Sequence, residues 1–485
     1  MERIDVWFTV SEVQGIIKSG GLADVAKALP IALQEIGHKV SVVLPAYKGI
    51  EWKNDCEVIL DTELDHWPHT PYQVRKAQHY GVDVYLIECE KYFSRNEMYA
   101  EHNRAYADNG ERFGFFSAAS LDVLPKLNIH PDIIHANDWH TGFVPFLLKT
   151  RYGDSDFFRT IKSVLTVHNA IFKGIFAYDE LDIIPELRLN GMEFLQYGNG
   201  YVSMLRAGIA YADKVNAVSP NYAAELLTPL GAHGLVDDFV RRAKDLFGIV
   251  NGCDYSEWNP SQDEFLPVSY THEAESLRKG KHAAKRALQD DLQLPERDVP
   301  VFGMVCRLTH QKGFHYLLPI LERFLRNDVQ LVIVGTGEPE VANHLHQVAV
   351  NHPNKFAFVE AYSNRFAHLV EAGSDFFLMP SEFEACGLNQ IYSMAYGTLP
   401  IVREVGGLKD TVFDYDKYPE QATGFGFIEP SAEALLITMQ RAMLFYLQEP
   451  DKFLQVQQRA MQQDHNWVHS AHEYVKMYRT AILGL

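Results

Sequence analysis

The sequence predicts two doubly wound α/β domains, each a parallel sheet covered by helices. Three observations carry that prediction. Short apolar, β-rich runs alternate with helical stretches along most of the chain, the pattern of parallel strands joined by crossover helices. The alternation breaks once, at 249–264, "IVNGCDYSEWNPSQDE", a polar segment with Asn-Gly and Asn-Pro, and then restarts. The 485 residues suffice for two or three domains of ordinary size.

The first domain opens with a βαβ unit. "IDVWFTV" reads as a strand, "GLADVAKALPIALQEIG" as a helix closed by Gly37, and "HKVSVVLP" as a second strand. Pro30 is expected to kink that helix or split it in two. The runs "VDVYLIE", "PDIIHA", "KSVLTVHN" and "DKVNAVS" supply further strands. After the break, strand "VPVFGMVCR", helix "GFHYLLPILERFL" and strand "VQLVIVG" begin the second domain. "KFAFVEA", helix "RFAHLVEAG", "DFFLMP" and "LPIVRE" continue it. The chain is helical from about 431. In its last helix Trp467, Ala471, Tyr474, Val475 and Tyr478 share one face. The expected boundaries are 1–250, 251–460 and a C-terminal helix at 461–485. In open sheets of this kind ligands bind beyond the carboxyl ends of the strands, and two such edges can face one another across a cleft.

Composition narrows the partners. Hydrophobic residues make up 47% and charged residues 22%, an ordinary globular balance. No apolar run is long enough to span a bilayer, and the N-terminus, with Glu2, Asp5 and Glu12, lacks the pattern of a signal peptide. The five cysteines are scattered without a CxxC, which fits a reducing, cytoplasmic setting. A formal net charge of −19 argues against nucleic acid and anionic membranes. An anionic ligand must therefore meet a few locally placed cations.

Such cations stand at strand ends. Lys18-Ser19-Gly20-Gly21 follows the first strand and opens a helix, where backbone N–H groups and bare glycines admit a phosphate or a sugar. It is neither GxGxxG nor GxxxxGK[ST], and a tight turn with a solvated lysine explains it equally well. Arg307 and Lys312, in "CRLTHQKGF", suit a diphosphate; a solvated loop is the alternative. In "PSEFEACGLNQ", Glu384 is placed to hold sugar hydroxyls or a developing cation, and the helix start at Gly387-Leu388 to receive a phosphate. Glu382 reads as surface and Cys386 as packed. His135, Asn137, Asp138 and His140 follow one strand, and His168 and Asn169 another; no zinc spacing joins the histidines. Asp414-Tyr415-Asp416 has the Asp-x-Asp form of metal-dependent sugar transferases but reads as a solvent-facing loop. "EVGGLKDTV" repeats Gly-Gly-Leu after a strand and serves either as a second backbone wall or as a plain turn.

Taken together, "KSGGLADV", "HANDWHTG", "TVHNAIFKG", "NGCDYSEWNP", "CRLTHQKG" and "PSEFEACGLNQIYSMAYGTLPIVREVGGLKDTV" resemble, in order and over essentially the whole chain, the bacterial and plant starch/glycogen synthases. Ser19, Ala385 and Asn389 depart from the residues commoner there, and Tyr392 stands where related Glu-x7-Glu transferases carry a second glutamate, which starch/glycogen synthases also lack. The resemblance implies a GT-B fold of two Rossmann-like domains and a retaining transferase. The implied donor is ADP-glucose, the acceptor the non-reducing end of an α-1,4-glucan, and no metal or other cofactor is required. It implies catalytic roles for Glu384, His168, Asp138 and Lys18, with Lys18, Gly20 and Gly21 beside the donor's phosphates and glucose. Arg307 and Lys312 would hold the diphosphate, and Tyr362 would lie beside the adenine. Asp24, Asn169, Asn251, Cys386, Gly387 and Leu388 would complete the substrate-binding set. The last helix would pack back on the first domain. Competing readings are a UDP-sugar-dependent or phosphorylase-like relative, or a glucan-binding scaffold with a dead site.

Overall fold

The computed structural model describes residues 3–64, 70–101 and 104–485; Met1 and Glu2 of the N-terminal stretch read above lie outside them. Its contacts divide the chain into two compact units. Unit one is the chain up to Gly252 together with Trp467–Leu485, and unit two is Cys253–Asn466.

Unit one is built on a nine-stranded sheet of β1 (Asp5–Thr9), β2 (Lys39–Pro45), β3 (Glu57–Glu63), β4 (Pro71–His79), β5 (Val82–Glu88), β6 (Ile133–Asn137), β7 (Lys162–Val167), β8 (Lys214–Ala217) and β9 (Leu246–Gly248). The order is β9-β8-β7-β6-β1-β2-β5-β4-β3. The strands from β9 to β5 are parallel to their neighbours, and β4 and β3 extend the sheet antiparallel. The antiparallel extension departs from the expected parallel sheet. Its β4–β5 turn is the two residues Tyr80-Gly81, both at positive φ (49° and 77°), the conformation that matches hairpin twist. Helix Gly21–Glu35 runs unbroken through Pro30, so of the expected kink or split, the split does not occur. Gly37, at φ 93°, ends it: its N–H bonds Gln34 O and the His38 N–H bonds Leu33 O, satisfying two terminal carbonyls.

The helix Trp467–Leu483 belongs to unit one. Trp467, Ala471, Tyr474, Val475 and Tyr478 are buried along it. Tyr478 Oη lies 2.8 Å from His135 Nδ1, the Asn216 amide donates to Tyr474 Oη (3.0 Å), and Ser470 Oγ donates to Val250 O (2.7 Å). The chain returns six residues later than the expected 461, because 461–466 stay with unit two.

Unit two holds β10 (Val301–Val305), β11 (Gln330–Val334), β12 (Phe356–Val359), β13 (Phe376–Met379), β14 (Leu399–Arg403) and β15 (Phe425–Phe427). They form an all-parallel sheet in the order β12-β11-β10-β13-β14-β15. Alternate residues serve opposite faces. Phe302, Met304, Leu331, Ile333, Phe376 and Leu378 pack on one side, and Val301, Val332, Val334, Phe377 and Met379 on the other. Burying each such side chain contributes about 1.5–3 kcal/mol, so both faces need helices. The order reverses between β10 and β13, the position where doubly wound sheets open a crevice.

Candidate active site

In each unit the expected residues follow strand carboxyl ends. In unit one, three adjacent strands, β1, β6 and β7, carry the clusters. The Lys18 ammonium sits 2.6 Å from Asp24 Oδ1, in the first turn of the following helix. The loop's amides are not bare. Glu12 Oε2 accepts from the Ser19 N–H, from Ser19 Oγ (2.9 Å) and from the Gly20 N–H (3.2 Å). This corrects the expectation that Gly20 offers its amide to a phosphate: the amide is engaged by the protein's own carboxylate. A Cβ on Gly20 would meet only Glu12 Oε1, at 3.8 Å, so the bare Cα faces open space. Gly21 is exposed beside it.

Asp138 follows β6 with φ 54° and ψ −171°, a region nearly reserved for glycine. Its Oδ1 accepts from the backbone N–H groups of His168 (2.7 Å) and Asn169 (3.4 Å), which ties the ends of β6 and β7 together. Burial pushes its carboxyl up to about 7, against the lowering effect of those two amides and with a further rise from nearby Glu12. The Asn137 amide donates to Thr9 O (3.0 Å), so its Oδ1 accepts from His168 Nε2–H (3.0 Å). His168 is therefore the Nε2–H tautomer with Nδ1 left as an acceptor, and burial holds its pKa at about 3. The Ala170 N–H donates to Tyr222 Oη (2.9 Å), and Asn169 Oδ1 caps the Ile171 N–H (3.1 Å). Asn251, after β9, is buried, and its Oδ1 has no hydrogen-bond partner among the described residues.

His135 and His140 do not join this set. His135 is enclosed between Tyr478 Oη and Thr166 Oγ1 (2.7 Å), and His140 stacks on Trp139 with ring centroids 4.0 Å apart. Burial takes both imidazoles to about 3, so they are neutral packing groups.

In unit two, Lys312 Nζ lies 2.6 Å from Glu384 Oε2, which also accepts from Ser381 Oγ (2.9 Å). Lys312 is thus a paired, partly covered cation rather than a solvated one. Arg307 is exposed, and no ion pair engages it among the described residues. Arg403, at the end of β14, fixes the backbone beneath Glu384: Nε donates to Ser381 O (2.9 Å) and Nη2 to Glu382 O. Glu382 is half-buried and accepts from Tyr316 Oη and His315 Nε2 (3.3 Å), more than a surface carboxylate does. Tyr362 is 86% exposed after β12. Leu388 caps a helix of only seven residues, Asn389–Ala395. The Gln390 amide donates to the Cys386 and Gly387 carbonyls (3.1 Å each). Cys386 is buried. Asp414, expected to face solvent, is buried: it pairs with Arg441 (2.7 Å) and accepts the Gly426 N–H (2.7 Å). That Asp-x-Asp is a structural turn. Among the described residues, no group of three or more His, Cys, Asp or Glu is set to hold a metal, and no helix is long and apolar enough to cross a membrane.

Sequence reasoning missed Glu12, Ser381 and Arg403. Glu12 carried one usable signal, an acidic residue just past a strand end and a few residues ahead of the Lys18-Ser19-Gly20-Gly21 loop.

Two doubly wound units with clusters at their strand ends fit the two Rossmann-like domains that the sequence implied. Residues 5–241 match the model of the starch synthase catalytic domain, and 286–453 that of glycosyl transferases group 1. The chain belongs to the starch/glycogen synthase family. It is 74% identical over 484 residues to the glycogen synthase of Vibrio cholerae serotype O1, covering 100% of both chains. It is 60% identical to that of Vibrio atlanticus, covering 99% of each. The catalytic domain of starch synthase IV from Arabidopsis thaliana, bound to ADP and acarbose, superposes with a TM-score of 0.89 at 30% identity, covering 99% of this chain and 100% of that one.

Proposed function

We propose that this chain, in the cytoplasm, transfers glucose from ADP-glucose to the non-reducing end of an α-1,4-glucan with retention of configuration. The observation that carries the reading is the Lys312–Glu384 pair, 2.6 Å apart at a strand-end switch point, with exposed Arg307 following the same strand as Lys312. The cation suits the diphosphate of such a donor and the carboxylate suits the hydroxyls of its sugar, which supports the reading. The ADP and acarbose held by the Arabidopsis starch synthase, a nucleoside diphosphate and a saccharide, support the same pairing of ligands.

The chemistry follows from charge. The C1–O bond to the diphosphate breaks, leaving negative charge on ADP and oxocarbenium character on glucose; a bond from the acceptor's 4-hydroxyl forms, and its proton leaves with the phosphate oxygen. Arg307 and Lys312 neutralise the departing ADP, and the Lys18–Gly21 loop meets the donor, as the family resemblance implies. Fixed cations of this kind do the work without a metal; removing one such preorganised group costs roughly 10²–10³ in rate. Glu384 holds the glucose. Asp138, ionised above pH 7, and the Nδ1 lone pair of neutral His168 accept from sugar hydroxyls. Exposed Tyr362 offers its ring to the adenine, and Asn251 Oδ1, without a hydrogen-bond partner among the described residues, accepts from the donor.

The test is a donor assay. Purified chain, glycogen, EDTA, and ADP-glucose or UDP-glucose are combined, and nucleotide release and glucan growth are followed. Growth with ADP-glucose in EDTA supports the reading. Growth only with UDP-glucose removes the adenine assignment; no activity until a divalent metal is added overturns the metal-free step.

A further inference from the structure

We propose that Glu12 is a positioning residue for donor binding: its buried carboxylate sets the shape of the Lys18–Gly21 loop. The inference rests on the reading that this loop meets the donor. Glu12 is 4% exposed, a placement that penalises a carboxylate unless it is bonded. No lysine or arginine pairs with it among the described residues. Its three bonds, from the Ser19 N–H, Ser19 Oγ and the Gly20 N–H, converge on one oxygen and all come from the loop. The intervening chain is folded to allow this. Val13 and Ile17 exchange backbone bonds (3.0 and 2.9 Å), and the Gln14 N–H donates to Ala23 O (3.0 Å) inside the helix.

The consequence for the loop is an inside and an outside. With the Ser19 and Gly20 amides turned onto Glu12, the Lys18 side chain and the bare Gly20 Cα are left outward. Burial pushes the Glu12 carboxyl up, as does nearby Asp24; the three loop bonds work the other way and favour its charged form, while its neighbours Tyr47, Tyr99 and Asp138 offer it no cation. Charge-assisted bonds to backbone N–H groups are about twice as strong as neutral ones, so the carboxylate fixes the loop more tightly than an amide would.

The test compares Glu12→Ala and Glu12→Gln with the wild type in the full chain. It measures kcat, KM for ADP-glucose and for glycogen, the dissociation constant of ADP by calorimetry, and thermal melting. Glu12→Ala is expected to raise the donor KM and weaken ADP at least tenfold, with the glycogen KM within twofold. Glu12→Gln, which keeps an acceptor, is expected to recover to about threefold. Donor and acceptor constants that both stay at wild-type values, or a kcat that falls only with the folded fraction, overturn the proposal. Should Glu12→Ala fail to fold, Glu12→Gln decides alone: a threefold donor-specific rise supports the proposal, and wild-type behaviour overturns it. A wild type that neither binds ADP nor consumes ADP-glucose instead overturns the donor assignment, and this inference with it.

Discussion

The two Gly-Gly-Leu loops, 20–22 and 406–408, look alike in sequence and differ in what their glycines are for. Both follow a strand and open a helix. At Gly406 the protein itself demands the missing side chain: φ is 43°, and a Cβ would lie 1.7 Å from Glu384 O. The Gly407 N–H bonds the Glu384 and Ala385 carbonyls (3.3 and 3.2 Å), so this loop is a floor under the Glu384 segment. At Gly20 the protein makes no such demand. Its φ of −156° suits any residue, and the space outside it is open. A glycine that the fold does not require is room left for something else. The expectation of a second backbone wall at 406–408 therefore gives way to its plain-turn alternative.

The largest effect should come from the required glycine. Gly406→Ala forces the backbone of the Glu384 segment to move and places a side chain at positive φ. It is expected to lose about 3 kcal/mol or more of unfolding free energy, with activity lost alongside. Denaturant midpoints and turnover measure both. A Gly406→Ala chain that melts and works like the wild type would remove the floor role.

How far these differences could be read in advance depends on the distance between partners. Strand ends were legible, because buried parallel strands are continuous apolar runs: "VDVYLIE" coincides with β5 and the Lys18, Arg307 and Glu384 clusters follow strands as expected. β3 and β4 were not. Their residues are half-exposed and mixed in polarity, and Tyr80-Gly81 is a weaker turn signal than Asn-Gly. Asp414 looked like a solvated acid because Arg441, its partner, stands 27 residues away on another element. Arg403 acts through backbone carbonyls, and two of the three bonds to Glu12 come from backbone N–H groups; such contacts leave no pattern of residue types. Lys18 and Lys312 were visible as cations, but their pairing with Asp24 and Glu384 was not.

Asp138 is a third case, where the fold bears a penalty rather than meeting a demand. Its carboxyl titrates near 7 in the folded chain and near 3.8 when unfolded, so the native state binds the proton more tightly. The stability this contributes is full below pH 3.8 and is lost as pH rises through 7. Asp138→Asn, which keeps an acceptor for the His168 N–H, is expected to be more stable than the wild type at pH 8 by on the order of 2–4 kcal/mol, and to show little gain at pH 4.5. Turnover should fall while stability rises. Equal differences at the two pH values would mean that the buried charge is not what the fold bears there.

The smallest stability effect, and the sharpest test of the comparison, is Gly20→Ala. The added methyl meets no backbone and only the edge of the Glu12 carboxylate, at 3.8 Å, an ordinary contact. Loss of a glycine from the unfolded chain is itself worth about 0.4–1 kcal/mol in favour of folding. Melting should therefore be unchanged or slightly higher. The donor, however, must now approach a methyl group instead of a bare Cα. A displacement of a few tenths of an ångström at a diphosphate or sugar is expected to raise the KM for ADP-glucose about tenfold, roughly 1.4 kcal/mol, with the glycogen KM unmoved. If Gly20→Ala lowered the melting temperature as Gly406→Ala is expected to, the two loops would be the same kind of turn. If it changed neither stability nor donor KM, the open space beside Gly20 would face solvent alone, and Lys18 would have to act without it.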